Sequence, residues 1–529
     1  MVRTKRIMGI CLAAALCAGA AASCTDKQNT VGSAVTVNGD SIYPVTCDDT
    51  LSLWMALDPR LEGVYENFGE TPLAKELEKR TGIKVEYIHP QSGQSAEQLN
   101  IMIASNELPD IVTNNWLGYG GGPDQSIKEG YICSLNDAIK NYAPALSEYL
   151  EENPAVDKQI KSDGGNYYVF PFVRGEDWLT TNQGLILRKD WLDKLGLQEP
   201  KTLDELENVL VQFKSFAKSA PMVLNTTQLQ MVLNAYNTAP DFYVNDGKVV
   251  YGYATEEYKQ ALETLSRWYK EGLIDNNLVS VDNKYIQSRI LNGDAGAFFG
   301  LVVSGLGAVL DAKPADQPDF DLVAIAQPTL NGGKPEFSFK ELAVLPAYCA
   351  AISANCKNRE LAARFLDYGF TEEGHMLYNF GIEGESYNMV DSEPVFTELI
   401  TNDPEGLSFA QAAVRYTRSP YSGIFEADSR YVEASLTYPQ QQKHAYDVWS
   451  DTNMGNHLLP PITLLPEEQS ESAEIMSNIA TYVAEKLVSY VMGKESLDTY
   501  DDYLKQLEDY NLSEAIEVRQ AALARYNKR

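Results

Sequence analysis

Between residues 51 and 113 the apolar positions alternate between two rhythms. Residues 51–57 form an apolar run of strand length. Thr71 and Pro72 then open a helix, with a hydroxyl placed to cap it and proline at the first helical position. Gly82 closes that helix at the left-handed position. A second strand follows over 83–88, and Ser95 with Gln98 reads as a capping box for the next helix. Leu108 and Pro109 end it, and residues 110–113 make a third strand. Strand, helix, strand, helix, strand at short spacing predicts an open α/β sheet.

The pattern then recurs. Residues 167–173 and 184–188 read as extended, and a short helix over 190–195 stops at Gly196. Thr202 with Glu205 is another capping box, followed by Leu206, Val209, Leu210 and Phe213 at helical spacing. Residues 297–299 and 322–325 look like strands of a second lobe. The chain returns with extended segments at 343–345 and 350–353, then a helix over 358–368. Near the end Ile475, Ile479, Val483 and Leu487 repeat every four residues, and Gly493 punctuates that helix. No tandem repeat is visible.

The N-terminus has a different pattern. Arg3, Lys5 and Arg6 precede an apolar core from Ile7 to about Ala20, then Ala21, Ala22, Ser23 and Cys24. Basic, apolar, small, then cysteine is the order of an export signal ending at a lipid-attachment site, which assigns 1–23 to the signal and Cys24 to the acyl (palmitate) anchor. Cys17 fits less well because the bulky Leu16 precedes it. The same residues are compatible with an ordinary signal peptide cut near Ala22. The apolar core falls short of the roughly 20 residues a spanning helix needs. Residues 24–48 are rich in Ser, Thr, Asn, Gly and Val and read as a flexible tether.

Charge and cysteine content narrow the function. The 529-residue chain carries 43 basic and 74 acidic side chains, a net charge of −31. Such a surface repels nucleic acid and anionic lipid. After Cys24 only Cys47, Cys133, Cys349 and Cys356 remain, too few for a disulfide framework. His89, His375, His444 and His457 are scattered and form no metal-ligand spacing. No metal and no cofactor is expected. Gly120 to Gly122 lacks the Lys and Ser/Thr of a phosphate loop.

Longer stretches carry a resemblance. "TPLAKELEKRTGIKVEYI" (71–88), "LNIMIASNELPDIVTNNW" (99–116), "GLILRKDWLDKLGLQEPKTLDELENVL" (184–210), "AISANCKNRELAARFLDYGFTEEG" (351–374) and "FGIEGESYNMVD" (380–391) follow in order. Together they resemble family 1 extracellular solute-binding proteins of ABC importers, particularly the large LplA-like lipoproteins of Gram-positive bacteria. The resemblance implies a two-lobed periplasmic-binding-protein-like α/β fold with a ligand cleft between the lobes and extra C-terminal helices. It implies lobe 1 over 49–172 with 342–385 returning to it. Lobe 2 then spans 173–341, with the largely helical 386–529 returning to it. It further implies a monomer without catalytic residues, facing the cell exterior on its lipid anchor. The protein would pass a carbohydrate, such as an oligosaccharide or uronic-acid oligomer, to a membrane permease. Members of this branch often carry an acidic calcium loop after the "KTLDEL" helix. Residues 213–228 lack clustered carboxylates, so calcium is not carried over.

In open α/β sheets ligands sit beyond the C-terminal ends of strands. That rule selects Asp58 and Arg60 after the first strand, and Asn115 and Trp116 after the third. Similar maltodextrin-type receptors stack an aromatic at the Trp116 position on sugar; ordinary packing is its other reading. Arg174, Glu176, Asp177 and Trp178 follow the first expected crossing between lobes. They suit a polar ligand, or equally a surface loop with a salt bridge. Were the ligand a uronate, Arg174 or Arg60 would be the natural bidentate partner of its carboxylate. Phe299 ends a second-lobe strand, Glu385 and Tyr387 lie near a further crossing, and Tyr421 and Trp449 sit in loop-like polar text that supplies a second wall.

Two other functions are compatible with parts of this text. The same fold could bind a peptide or another small polar solute. A secreted glycoside hydrolase would need two facing carboxyls, for which Glu383 with Glu385 or Glu372 with Glu373 are the sequence candidates.

Overall fold

The computed structural model describes residues 32–37, 42–418 and 423–529. The expected signal, Cys24 and Tyr421 lie outside the described residues. The expected tether is folded where it is described. Thr36–Val37 pairs antiparallel with Val45–Thr46, Val45 is buried, and Asp49 accepts hydrogen bonds from Ser33 and Asn358. The Val and Thr that accompany Ser and Asn in this stretch are good strand residues, and they find an apolar wall.

Strand β1 (Thr50–Trp54) leads to helix α1 (Pro72–Thr81). Thr71 Oγ1 accepts the Ala74 N–H at 3.1 Å, and Gly82 ends the helix at φ 72°. A Cβ on Gly82 would lie 2.1 Å from the Val45 carbonyl oxygen, so glycine is required by space as well as by conformation. Leu73 and Leu77 turn inward and are buried, each contributing about 1.5–3 kcal/mol. Strand β2 (Lys84–Ile88), helix α2 (Ser95–Ser105), strand β3 (Ile111–Thr113) and helix α3 (Gly122–Lys128) follow. The capping box expected at Ser95 and Gln98 is absent. Ser95 is already the first helical residue, no side chain caps that end, and Asn106 at φ 57° stops the helix before Leu108.

The second half contains β4 (Gln183–Arg188), α4 (Leu203–Phe213), β5 (Met222–Val223), β6 (Ala297–Leu301) and β7 (Leu322–Ile325). Here the Thr202 and Glu205 capping box forms in both directions, and Leu206, Val209, Leu210 and Phe213 are buried. Strand β8 (Ala350–Ile352) returns to the first sheet. The long C-terminal part is helical, including α5 (Pro439–Ser450), α6 (Pro466–Val491) and α7 (Leu512–Tyr526). Ile475, Ile479, Val483 and Leu487 form the buried stripe of α6.

Two sheets result. The first has the order β8-β3-β1-β2, with β1 parallel to β2 and β3, and β8 antiparallel to β3. The second has the order β7-β4-β6-β5, with β4 antiparallel to both β6 and β7. Each sheet has its own apolar core. The chain passes between them where Val173 pairs with Val344 on one side and Glu426 on the other. Of the extended segment expected over 343–345, Val344 alone makes a ladder pair. The chain beyond 386 does not belong to one lobe, because Val414, Phe425 and Ala427 pack into the first core around that crossing.

Candidate functional site

Beyond β1 the chain turns sharply, with the Leu61 N–H donating to the Asp58 carbonyl at 2.9 Å and the Leu61 side chain buried as an anchor. The turn folds Arg60 back on Asp58. Nε donates to Oδ1 at 2.8 Å and Nη2 to Oδ2 at 2.6 Å, a bidentate fork. Burial acts upward on the Asp58 pKa, but the hydrogen bonds and charge of Arg60 outweigh it and hold the carboxyl below its ordinary value. The pair borders a cavity of about 480 Å³, floored by Met55, Phe68 and Arg418. Arg418 lies 4.9 Å from the Phe68 ring centroid.

Arg60 and Tyr348 also border a larger cavity of about 910 Å³, so the two spaces adjoin. Its walls come from both halves of the molecule. Arg174 and Glu341 stand at the crossing, Gln183 and Leu301 come from the second sheet, Asn182 and residues 302–304 flank its strands, and Ser408, Phe409, Tyr431 and Tyr446 come from later helical segments. Arg174 Nη1 donates to the Leu179 carbonyl at 2.9 Å and Nη2 forms an ion pair with Glu341. Tyr348 exposes 36% of its surface and is held edge-on against Phe172, so its ring can present a face to a ligand. Volumes of this size suit small-molecule ligands, and the lining mixes ring faces with carboxylates, amides and guanidiniums.

Asp58, Arg60 and Arg174 border the cavities, and the other sequence candidates do not line them. Trp116 is fully buried; its Nε1 donates to the Val112 carbonyl at 3.2 Å and its ring packs against Tyr119. Asn115 is exposed and holds the Gly118 N–H at 3.0 Å, a local turn contact. Glu176 is exposed and accepts from Trp178 Nε1 and Ser429 Oγ. Trp178 packs edge-on against Tyr446 at 4.6 Å and supports the wall from behind. Trp449 is on α5, not in a loop. It is buried against Gly184, where a Cβ would lie 2.3 Å from its Nε1, and that nitrogen donates to the Ile325 carbonyl at 3.0 Å. Phe299 faces the second core and, with Trp449, borders a void of only about 10 Å³. Tyr387 is buried in the hairpin of Tyr387–Val390 with Glu393–Phe396, and Glu385 is exposed beside it.

Of the cavity residues outside the strand-end rule, Glu341 and Tyr431 are on no strand, while Tyr348 and Gln183 escape it for a physical reason. β8 runs antiparallel to β3, so its N-terminal end, just after Tyr348, lies beside the C-terminal end of β3. β4 is likewise antiparallel to β6, which places Gln183 beside Leu301. In a mixed sheet the cleft edge carries strand starts as well as strand ends, and a reader looking only beyond strand ends sees half of it.

Among the described residues no group of three or more His, Cys, Asp and Glu side chains could hold a metal ion. Among them, too, no helix is long and apolar enough to cross a membrane. The described cysteines are unbridged.

Two lobes around a cleft define the class. The chain belongs to the bacterial extracellular solute-binding protein family, whose sequence profile matches residues 68–376. It is similar to the fructooligosaccharide ABC transporter substrate-binding protein FusA of Streptococcus pneumoniae, with 26% identity over 493 residues, 86% of this chain and 87% of that one. It is similar to lipoprotein LipO of Bacillus subtilis, with 26% identity over 462 residues, 82% of this chain and 85% of LipO. Its fold matches the crystal structure of the alginate-binding protein AlgQ2 with a TM-score of 0.70 and 26% identity, covering 90% of this chain and 98% of that one.

Proposed function

We propose that this protein captures a carbohydrate, an oligosaccharide, outside the cell and delivers it unaltered to the permease of an ABC importer. The observation that carries this reading is the pair of adjoining cavities that meet at Arg60 and Tyr348 and take their walls from both lobes. A saccharide offers hydroxyls at its edge and C–H groups on its faces. Carboxylates, amides and ring faces are the groups that match them. FusA and AlgQ2, by their names, bind such polymers or their fragments. The crossing at Val173, Val344 and Glu426 is the natural hinge, so lobe closure would use binding energy to bring the walls together.

No chemistry on the ligand is part of this reading. A glycosidase acid needs a raised pKa, whereas Asp58 is held low. The carboxylate pairs read from sequence sit elsewhere: Glu383 and Glu385 are exposed on the hairpin side, and Glu373 pairs with Arg80. Cys24 supplies the lipid anchor in this proposal, in keeping with the name of LipO. The membrane partner is the permease, and the protein acts as a monomer.

A thermal-shift and calorimetry screen across oligosaccharides, monosaccharides and peptides tests the reading, with product analysis for turnover. A ligand at a hundred times its Kd stabilises by about 2.7 kcal/mol. Stabilisation by oligosaccharides without turnover is expected. Stabilisation by peptides alone, or hydrolysis of a bound sugar, would overturn it. Release of a Cys24→Ala variant into the medium tests the anchor; retention at the membrane would remove it.

A further inference from the structure

The charged groups facing the two cavities are Asp58, Arg60, Arg418, Arg174, Glu341 and Asp311, three of each sign. Their pairing matters more than their sum. Asp58 takes the Nε–Nη2 edge of the Arg60 guanidinium, and Arg174 is engaged by Glu341 and the Leu179 carbonyl. Arg418 is packed against Phe68 at the floor, within the field of Asp58. Asp311 is exposed on the wall of the larger cavity.

We infer that the cleft selects uncharged oligosaccharides over uronate-bearing ones, because Arg60 and Arg174 are spent on orienting Asp58 and Glu341 as hydroxyl acceptors. The inference deepens the carbohydrate reading and rests on it. A ligand carboxylate could take the Nε–Nη2 edge of Arg60 only by displacing Asp58, and at either arginine it would meet a guanidinium whose charge a carboxylate already offsets. The pair it would break is charge-assisted and bidentate at Arg60, roughly twice as strong as a neutral hydrogen bond. The displaced Asp58 side chain, only 14% exposed, would be left as an uncompensated charge. A uronate would also meet Asp311 on the wall. A neutral polyol faces no such cost. An ionised carboxylate accepts at about four lone-pair positions and donates none, and sugar hydroxyls are donors. Glu341 keeps 33% of its side chain exposed while paired, so it can serve Arg174 and a ligand together.

The test is calorimetry on the full protein with neutral fructo-, gluco- and manno-oligosaccharides against oligogalacturonates and oligoalginates of the same length, at one ionic strength. Binding of a neutral class at least about tenfold tighter, a difference of about 1.4 kcal/mol, is expected. Equal or tighter binding of the uronates would overturn the inference and leave the carbohydrate reading standing. Absence of binding by either class would overturn both. Asp311→Asn, at an exposed position where folding is not at stake, should raise uronate affinity relative to neutral affinity by about fivefold, the effect of one unit charge about 4 Å away in water. Glu341→Gln should move the ratio the same way. If neither substitution moves it, the charge argument is wrong.

Discussion

Two loops leave the same edge of the first sheet and end differently. Both follow parallel strands, β1 and β3, and both carry polar residues with a neighbouring group suited to a sugar. The loop after β1 stays open, and Asp58 and Arg60 border the adjoining cavities. The loop after β3 closes on itself. Trp116 turns under, Asn115 holds its own turn, and α3 is covered by α6, with the Leu464 carbonyl 3.9 Å from where a Cβ on Gly122 would be. Strand direction therefore selects the side of the sheet on which these loops lie. Of the two, the loop after β3 is the one covered by a helix that arrives far later in the chain.

The sharpest way to break this contrast is Trp116→Ala. Removing a fully buried indole that also satisfies the Val112 carbonyl should cost about 3–5 kcal/mol, read as a lower denaturation midpoint. The affinity of the folded protein should be unchanged. Arg60→Ala should show the opposite profile. It removes the group that orients Asp58 at the junction of the cavities, and a hydrogen bond to a charged group contributes about 1.5–3 kcal/mol. Calorimetry should find affinity lower by a factor of about 10–150, with a loss of melting temperature from the unpartnered Asp58 that is smaller than that of Trp116→Ala. Affinity lost in Trp116→Ala and kept in Arg60→Ala would reverse the assignment of the two loops.

How far the sequence could be read follows from the same contrast. Helices α1 and α4 and the buried stripe of α6 are visible in it because a cap, a terminal glycine and a four-residue repeat act within a few residues of each other. Ser95 shows the limit even there, since the helix starts one residue early and the box cannot form. The site is less legible. Asp58 and Arg60 directly follow β1, so the strand-end rule reaches the cavity border there. Trp449 was misread because its partner is the space left by Gly184, which no local pattern announces. Tyr348 was overlooked because an antiparallel strand brings its start to the edge where parallel strands end. The recognisable order of segments identifies the family, but its residues reach the cleft only through packing that this chain makes in its own way.

Acid should affect the open loop by way of Asp58. Its folded pKa lies below the ordinary value, so the stabilisation from its pair with Arg60 is complete above the unfolded carboxyl pKa of about 4. That stabilisation is lost as the pH falls through the lower folded value. Wild type and Asp58→Asn should therefore differ most in melting temperature at neutral pH, and the gap should narrow only below about pH 4. A gap that is constant with pH would mean that the carboxylate charge contributes nothing to the turn.

The smallest effect belongs to the closed loop. Asn115 is exposed, and its Oδ1 accepts the Gly118 N–H at 3.0 Å. A neutral, exposed hydrogen bond of this kind contributes about 0.5–1.5 kcal/mol. Asn115→Ala should therefore lower the melting temperature slightly and leave ligand affinity within error, because nothing on that side of α3 faces either cavity. The measurement is informative for its small size. Lobe closure would have to carry the loop after β3 into the cleft for this residue to reach a ligand. A clear loss of affinity in Asn115→Ala, with melting unchanged, would show that closure does so and that the two loops differ only in the open form.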